Sequence, residues 1–283
     1  MIINMPEKKS VLIYHDSIAS MANVQVSEVN MPLYMNILGM GKGKSWYGVT
    51  NINDLREIIE IYGSWPEGVN RGKVLMDNIK APKLPSTKRK KTWGAKGGRI
   101  NISRMYSGKS RKMFRCAKRQ FTKDRSNGRS SVNIVIDISA SAQIHAESFY
   151  WRGALGCVLA KALMESGRNV RILAAFSMSN YSNDSCYPGR RNCTVMLNVK
   201  PYGQQVNYNS MFAVTALAGT LRHYFFKSVL SLDTPIKNSI GNVTPVSDDM
   251  ISPIIDNNPT ILIENIWDKY TAIEKAKDIL GGL

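Results

Sequence analysis

Eighteen Lys and Arg residues fall between Lys80 and Arg129, against one acid, Asp124. The chain has 283 residues and a net charge of +17, so this stretch carries all of it and the remaining 20 basic and 20 acidic groups cancel. Charge of one sign held this close repels itself and calls for a polyanion, of which nucleic acid is the commonest. The candidate contacts are Lys88, Arg89, Lys90, Lys91, Lys96, Arg99, Arg104, Lys109, Arg111, Lys112, Arg115, Lys118 and Arg119. Arg offers a forked pair of donors to phosphate and Lys a point charge. Aromatic residues interleave with the cations: Trp93, Tyr106, Phe114 and Phe121. Trp93 opens a glycine-punctuated loop expected over 93–99 and is the candidate for stacking on an unpaired base, while Gly94, Gly97 and Gly98 permit close approach to phosphates. Stacking favours single-stranded DNA over double-stranded DNA or RNA as the expected ligand.

A second constellation is Asp137-Ile-Ser139-Ala-Ser141, placed directly after the apolar run 132–136 and before a helical pattern. It resembles the D-x-S-x-S metal-ion-dependent adhesion motif of von Willebrand factor A-type (vWA) domains. The likeness covers roughly 131–176: strand, motif, helix, Gly167, and a second strand reaching Phe176. It implies a doubly wound, Rossmann-type α/β sheet with the motif at the carboxyl end of its first strand, where such sheets open a crevice. It also implies Mg²⁺ held by Asp137, Ser139 and Ser141, whose carboxylate and hydroxyls are the hard oxygen donors this ion prefers. The family adds a threonine from a second loop, for which Ser210 stands in here, and an aspartate from a third. No T-D-G-like motif supplies the latter, and Asp233, Asp248 and Asp249 are the substitutes. A partner protein giving a carboxylate to the metal, such as an AAA+ ATPase, is the expectation that follows. The simpler alternative is that Asp137 and the serines close the strand–helix turn and cap the helix. A vWA-like domain joined to a basic segment also resembles phage-encoded proteins.

The elements that must position these residues fall in three regions: a small α+β region over 1–79, the basic segment 80–130, and an α/β domain over 131–283. In the first, Leu55, Ile58, Ile59 and Tyr62 share a helical face within 51–63, stopped by Gly63, and 65–68 reads as a turn. In the second, Ala81–Pro85 is an extended linker. Ile100 and Ile102 alternate as in a strand, and from Ser110 the spacing of Phe114, Ala117 and Phe121 predicts a basic amphipathic helix. In the third, strands are expected over 132–136, 170–176, 194–199 and 260–266, and helices over 146–165, 210–230 and 268–280.

Several function classes fall away. Gly39-Met-Gly-Lys-Gly-Lys44-Ser45 misses the P-loop pattern, because Leu38 stands where the first glycine belongs. Asp137, Ser141 and His145 lack the convergence that a nucleophile, base and orienter need, and a non-enzymatic protein is expected. Cys116, Cys157, Cys186 and Cys193 form no C-x-x-C pair, so neither structural zinc nor a disulfide is expected. The longest apolar run, 211–221, is too short to span a bilayer, and 1–9 has no signal-peptide core. The expectation is a cytoplasmic protein (in the host cytoplasm if viral) serving as a cofactor of replication or transcription.

Overall fold

The structure, a computed structural model, describes residues 1–5, 10–40, 43–78, 89–94, 99–100, 114–119, 131–141, 143–180, 191–233, 240 and 242–281. The chain divides into two compact units, Met1–Pro82 with Ser131–Leu283, and Lys83–Ser130. The basic segment is therefore a unit of its own, whereas residues 1–79 are not: they complete the α/β unit. Two of its strands, β1 (Ile2–Met5) and β2 (Ser10–His15), belong to the same sheet as the later strands.

The smaller unit is a three-stranded antiparallel sheet in the order β3-β5-β4, with β3 at Arg89–Gly94, β4 at Arg99–Ile100 and β5 at Phe114–Arg119. The basic helix expected from Ser110 is thus replaced, over 114–119, by a strand paired on both sides. Three aromatic or small residues at helical spacing are weak evidence when the positions between them are cations without a preference for either period. Ile102, Ser110 and Phe121 lie outside the described residues.

The larger unit is built on a six-stranded mixed sheet, β1-β2-β8-β7-β6-β9, which adds β6 (Ser131–Asp137), β7 (Asn169–Asn180), β8 (Arg191–Lys200) and β9 (Thr260–Ile263). The helices are α1 (Ile18–Ala22), α2 (Met31–Met40), α3 (Lys44–Tyr47), α4 (Ile52–Arg56), α5 (Pro66–Asn78), α6 (Ala146–Glu165), α7 (Tyr208–Ala216), α8 (Phe226–Val229), α9 (Asp248–Ile251) and α10 (Lys269–Gly281). The 65–68 turn is instead the start of α5, with Pro66 at the first helical position, where its missing N–H costs nothing. The 210–230 helix is interrupted: α7 ends at Ala216, Leu217 is extended, and a π-helical stretch, Thr220–Phe225, leads into α8.

Strand β6 is buried along nearly its whole length and pairs in parallel with β7 and β9, as its continuous apolar run requires. Its Val132, Ile134 and Ile136 enter the main core with α6, while Val135 joins Leu12, Leu173, Ala175 and Met196 on the opposite face. Helix α6 is buried almost all round, with Phe149, Leu155, Val158, Leu159 and Leu163 in that core. Among the described residues, the opposite face is covered by Val246, Ile251, Ile254 and Ile255, around the one-turn α9. The layers are therefore unequal, where a doubly wound sheet carries helices on both faces. The antiparallel pairing of β7 with β8 accounts for part of this, because a hairpin needs no crossover helix.

Two histidines give this core a pH limit. Burial lowers the pKa of His15 and of His223 to about 4, helped at His223 by the charges of Arg56 and Lys227. Both are neutral in the fold and titrate near 6.5 when unfolded. Their contribution is complete above about pH 6.5 and is lost as pH falls towards about 4, because the unfolded chain binds the extra protons. The melting temperature is expected to drop through this window, and His223→Gln should flatten the drop. An equal slope in the variant would remove His223 from the account.

Candidate functional site

The unit Lys83–Ser130 holds 17 of the chain's 38 Lys and Arg residues and one acid, while the rest of the chain has 21 against 20. The boundary of charge and the boundary of the fold thus fall within three residues of each other at Lys80 and Lys83. Of the candidate contacts, Arg89, Lys90, Lys91 and Trp93 lie on β3, Arg99 on β4, and Arg115, Lys118 and Arg119 on β5. Lys88, Lys96, Arg104, Lys109, Arg111 and Lys112 lie outside the described residues. Trp93 is a strand residue and not part of a loop, and its register partner is Arg115. The pairing also sets Arg89 against Arg119, Lys90 against Lys118 and Arg99 against Arg115.

Asp137 ends β6, and its carboxylate is turned back onto the turn that follows. Asp137 Oδ1 accepts the Ser139 N–H at 2.8 Å and Oδ2 accepts the Val246 N–H at 3.3 Å. Ser139 Oγ accepts the Ser177 N–H at 2.9 Å, and Ser141 Oγ accepts the Gln143 N–H at 3.4 Å. Arg152, one and a half turns into α6, reaches under this turn: its Nη1 donates to the carbonyls of Asp137 at 2.5 Å and Ser139 at 2.8 Å. Arg152 is 2 % exposed, and its guanidinium stacks 4.0 Å from the centre of the Trp267 ring. Burial lowers its pKa to about 10, opposed by the charges of Asp137 and Glu264, so it stays a cation at neutral pH. Arg152 carries no motif, and its signal in the sequence is that it is the one charged residue within the apolar stretch 149–160.

This arrangement does not fit Mg²⁺. A dication at Asp137 and Ser139 would sit beside a buried cation in a medium of low dielectric, where like charges repel strongly. Ser210 is also at the wrong end of the sheet. Because β8 runs antiparallel to β7, it finishes with Lys200 opposite Ile172, and Tyr202 Oη donates to Asn133 Oδ1 at 2.8 Å near the start of β6. Ser210 follows on the first turn of α7, where its N–H meets the Asn207 side chain. Asp233, Asp248 and Asp249 are exposed, and the last two open α9. The observed bonds are those of an Asx-type turn, so the turn-closing half of the simpler sequence reading describes them, whereas its capping half does not: His145 precedes α6 and no side chain caps the helix. Among the described residues no group of three or more His, Cys, Asp or Glu is placed to hold a metal. Cys157 and Cys193 are free and buried, with thiols pushed up to about 12.

At the same end of the sheet as Asp137, a cavity of about 350 Å³ lies at the start of α6, lined in part by Lys44, Ser45, Arg71, His145, Glu147 and Tyr150. Lys44 and Ser45 come from the glycine-rich stretch that misses the P-loop pattern, and they open the four-residue α3. Arg71 is already engaged: it pairs with Glu147 and stacks 4.1 Å from the Tyr150 ring. The wall of the cavity carries both signs of charge. No helix among the described residues is long and apolar enough to cross a membrane.

No curated protein and no solved structure matches this chain. One family does, described as a domain of unknown function (DUF7192), and its match runs over residues 5–283. The match takes in both compact units, and the chain belongs to that family.

Proposed function

We propose that this chain is a non-enzymatic, cytoplasmic nucleic-acid-binding protein. In this reading the unit Lys83–Ser130 captures the phosphate backbone and the larger α/β unit is its scaffold. The observation that carries the reading is the coincidence of the charge block with one compact unit. A solubilising tail needs no paired strands, whereas an interface needs cations held at set spacings. The likeness to vWA domains rests on β6, its turn, α6 and the parallel β7, and it supports the scaffold role without a metal. The ligand class suits a cofactor of replication or transcription.

Gel-shift titration against single-stranded DNA, double-stranded DNA and RNA over a salt series tests the proposal. Each phosphate neutralised on a single strand adds about −0.7 to the slope of log K against log salt, so six contacts give a slope of about −4. A slope near zero, or no binding, overturns the reading.

A further inference from the structure

Alternate positions of a strand lie on alternate faces of its sheet, and residues paired in register share a face. Applied to β3, β5 and β4, this rule sorts the basic residues. One face carries Arg89, Lys91 and Trp93 from β3, Arg115, Ala117 and Arg119 from β5, and Arg99 from β4. The other carries Lys90, Thr92, Gly94, Phe114, Cys116, Lys118 and Ile100. Five cations and the tryptophan thus share the first face, while the second holds two cations among small and apolar residues.

The first face has an internal order. Arg89 and Arg119 form one cross-strand row, Lys91 and Ala117 the next, and Trp93, Arg115 and Arg99 a third that crosses all three strands. From the first row to the third is four residues of strand, about 14 Å. Like charges directly opposite one another destabilise a strand pair, and the described strands of this sheet contain no Asp or Glu to offset them. A polyanion laid along the face offsets them.

We infer that this face is the nucleic-acid surface and that its ligand is a single strand, laid across the arginine row and Lys91 with an unpaired base stacked on Trp93. The inference rests on the proposed function and assigns it a face, a polarity of residues and a strand state. A duplex keeps its bases stacked on each other and leaves the tryptophan nothing to receive, whereas a single strand offers both phosphates and base faces.

The test compares two charge-matched variants of the full chain, using fluorescent oligothymidylate and a duplex of equal length. R89Q/K91Q/R115Q/R119Q removes four of the five cations of the first face, and K88Q/K90Q/K96Q/K118Q removes the same charge from elsewhere in the unit. The first should weaken oligothymidylate binding at least tenfold more than the second. Trp93→Ala should weaken the single strand about tenfold and the duplex hardly at all, with Trp93→Phe restoring most of the loss and so excluding misfolding. Equal losses in the two charge variants overturn the face while leaving nucleic-acid binding intact. Equal losses on single strand and duplex for Trp93→Ala overturn the stacked base. Equal displacement by polyglutamate overturns the assignment to nucleic acid, and failure of the unaltered chain to bind overturns the reading beneath it.

Discussion

Gly153→Ala is expected to lower the stability of the α/β unit by about 3 kcal/mol or more, read by urea denaturation. A Cβ at this position would lie 2.0 Å from the carbonyl oxygen of Thr215, 2.2 Å from its carbonyl carbon and 2.5 Å from the Ala216 nitrogen. All three are backbone atoms of α7, so relief requires the two helices to part, and α6 and α7 together carry much of the main core. Alanine's higher helix propensity, about 1 kcal/mol over glycine, works against the loss and is too small to cancel it. Gly156→Ala is the control. Its Cβ would meet the Ile136 side chain, Cδ1 at 2.3 Å and Cγ1 at 2.7 Å, and a side chain can change rotamer where a backbone cannot. The Gly156 variant should therefore lose clearly less. Near-native stability of Gly153→Ala would show that α6 and α7 do not meet as described.

The second large effect is expected at Arg152. Arg152→Met should cost about 3 kcal/mol in the same measurement. Its removal strands the carbonyls of Asp137 and Ser139 in a buried place, at about 1–3 kcal/mol for each unsatisfied group. The stacking on Trp267 is lost as well, about 2 kcal/mol when desolvated. Relief of the buried charge offsets part of this sum, since a guanidinium whose pKa has fallen to about 10 is held in the fold at a cost. Arg152→Lys should recover only part of the loss: both carbonyls take their bonds from the one Nη1, which an ammonium could replace, but the compact ammonium lacks the planar face that stacks on Trp267. A Met variant as stable as the unaltered chain would mean that the 137–141 turn holds itself together through Asp137 and Ser139 alone.

Much of the α/β unit was legible in the residues. The helix read over 146–165 has those bounds, and the strands at 132–136, 170–176 and 194–199 lie inside β6, β7 and β8. Long apolar runs closed by Gly167 or opened by a turn leave few alternatives, because such runs must be buried. The parallel pairing of β6 and β7 around α6 followed from the same spacing. The basic strands were less legible. In β3 and β5 cations fall on both faces, so no apolar alternation marks the period and a helix fits the pattern as well as a strand. The joining of residues 1–79 to the later strands was hidden for another reason: β2 pairs with β8 across some 180 residues of sequence, and no local pattern encodes so distant a partner.

The candidate sites divide along the same line. Composition alone determined that the charge is concentrated and where, because charge is a property of residues and needs no fold to be counted. The turn at Asp137 was also local, since an Asx-type turn is made by residues two positions apart. Tertiary structure decided the rest. The direction of β8 put Ser210 at the far end of the sheet from Asp137, and the depth of α6 brought Arg152 under the turn, where a metal would meet a cation. Strand register alone gathered Arg89, Lys91, Trp93, Arg99, Arg115 and Arg119 on one face. A shift of one residue would send each strand's set to the opposite face, and register is set by pairings between strands that no single stretch of sequence contains.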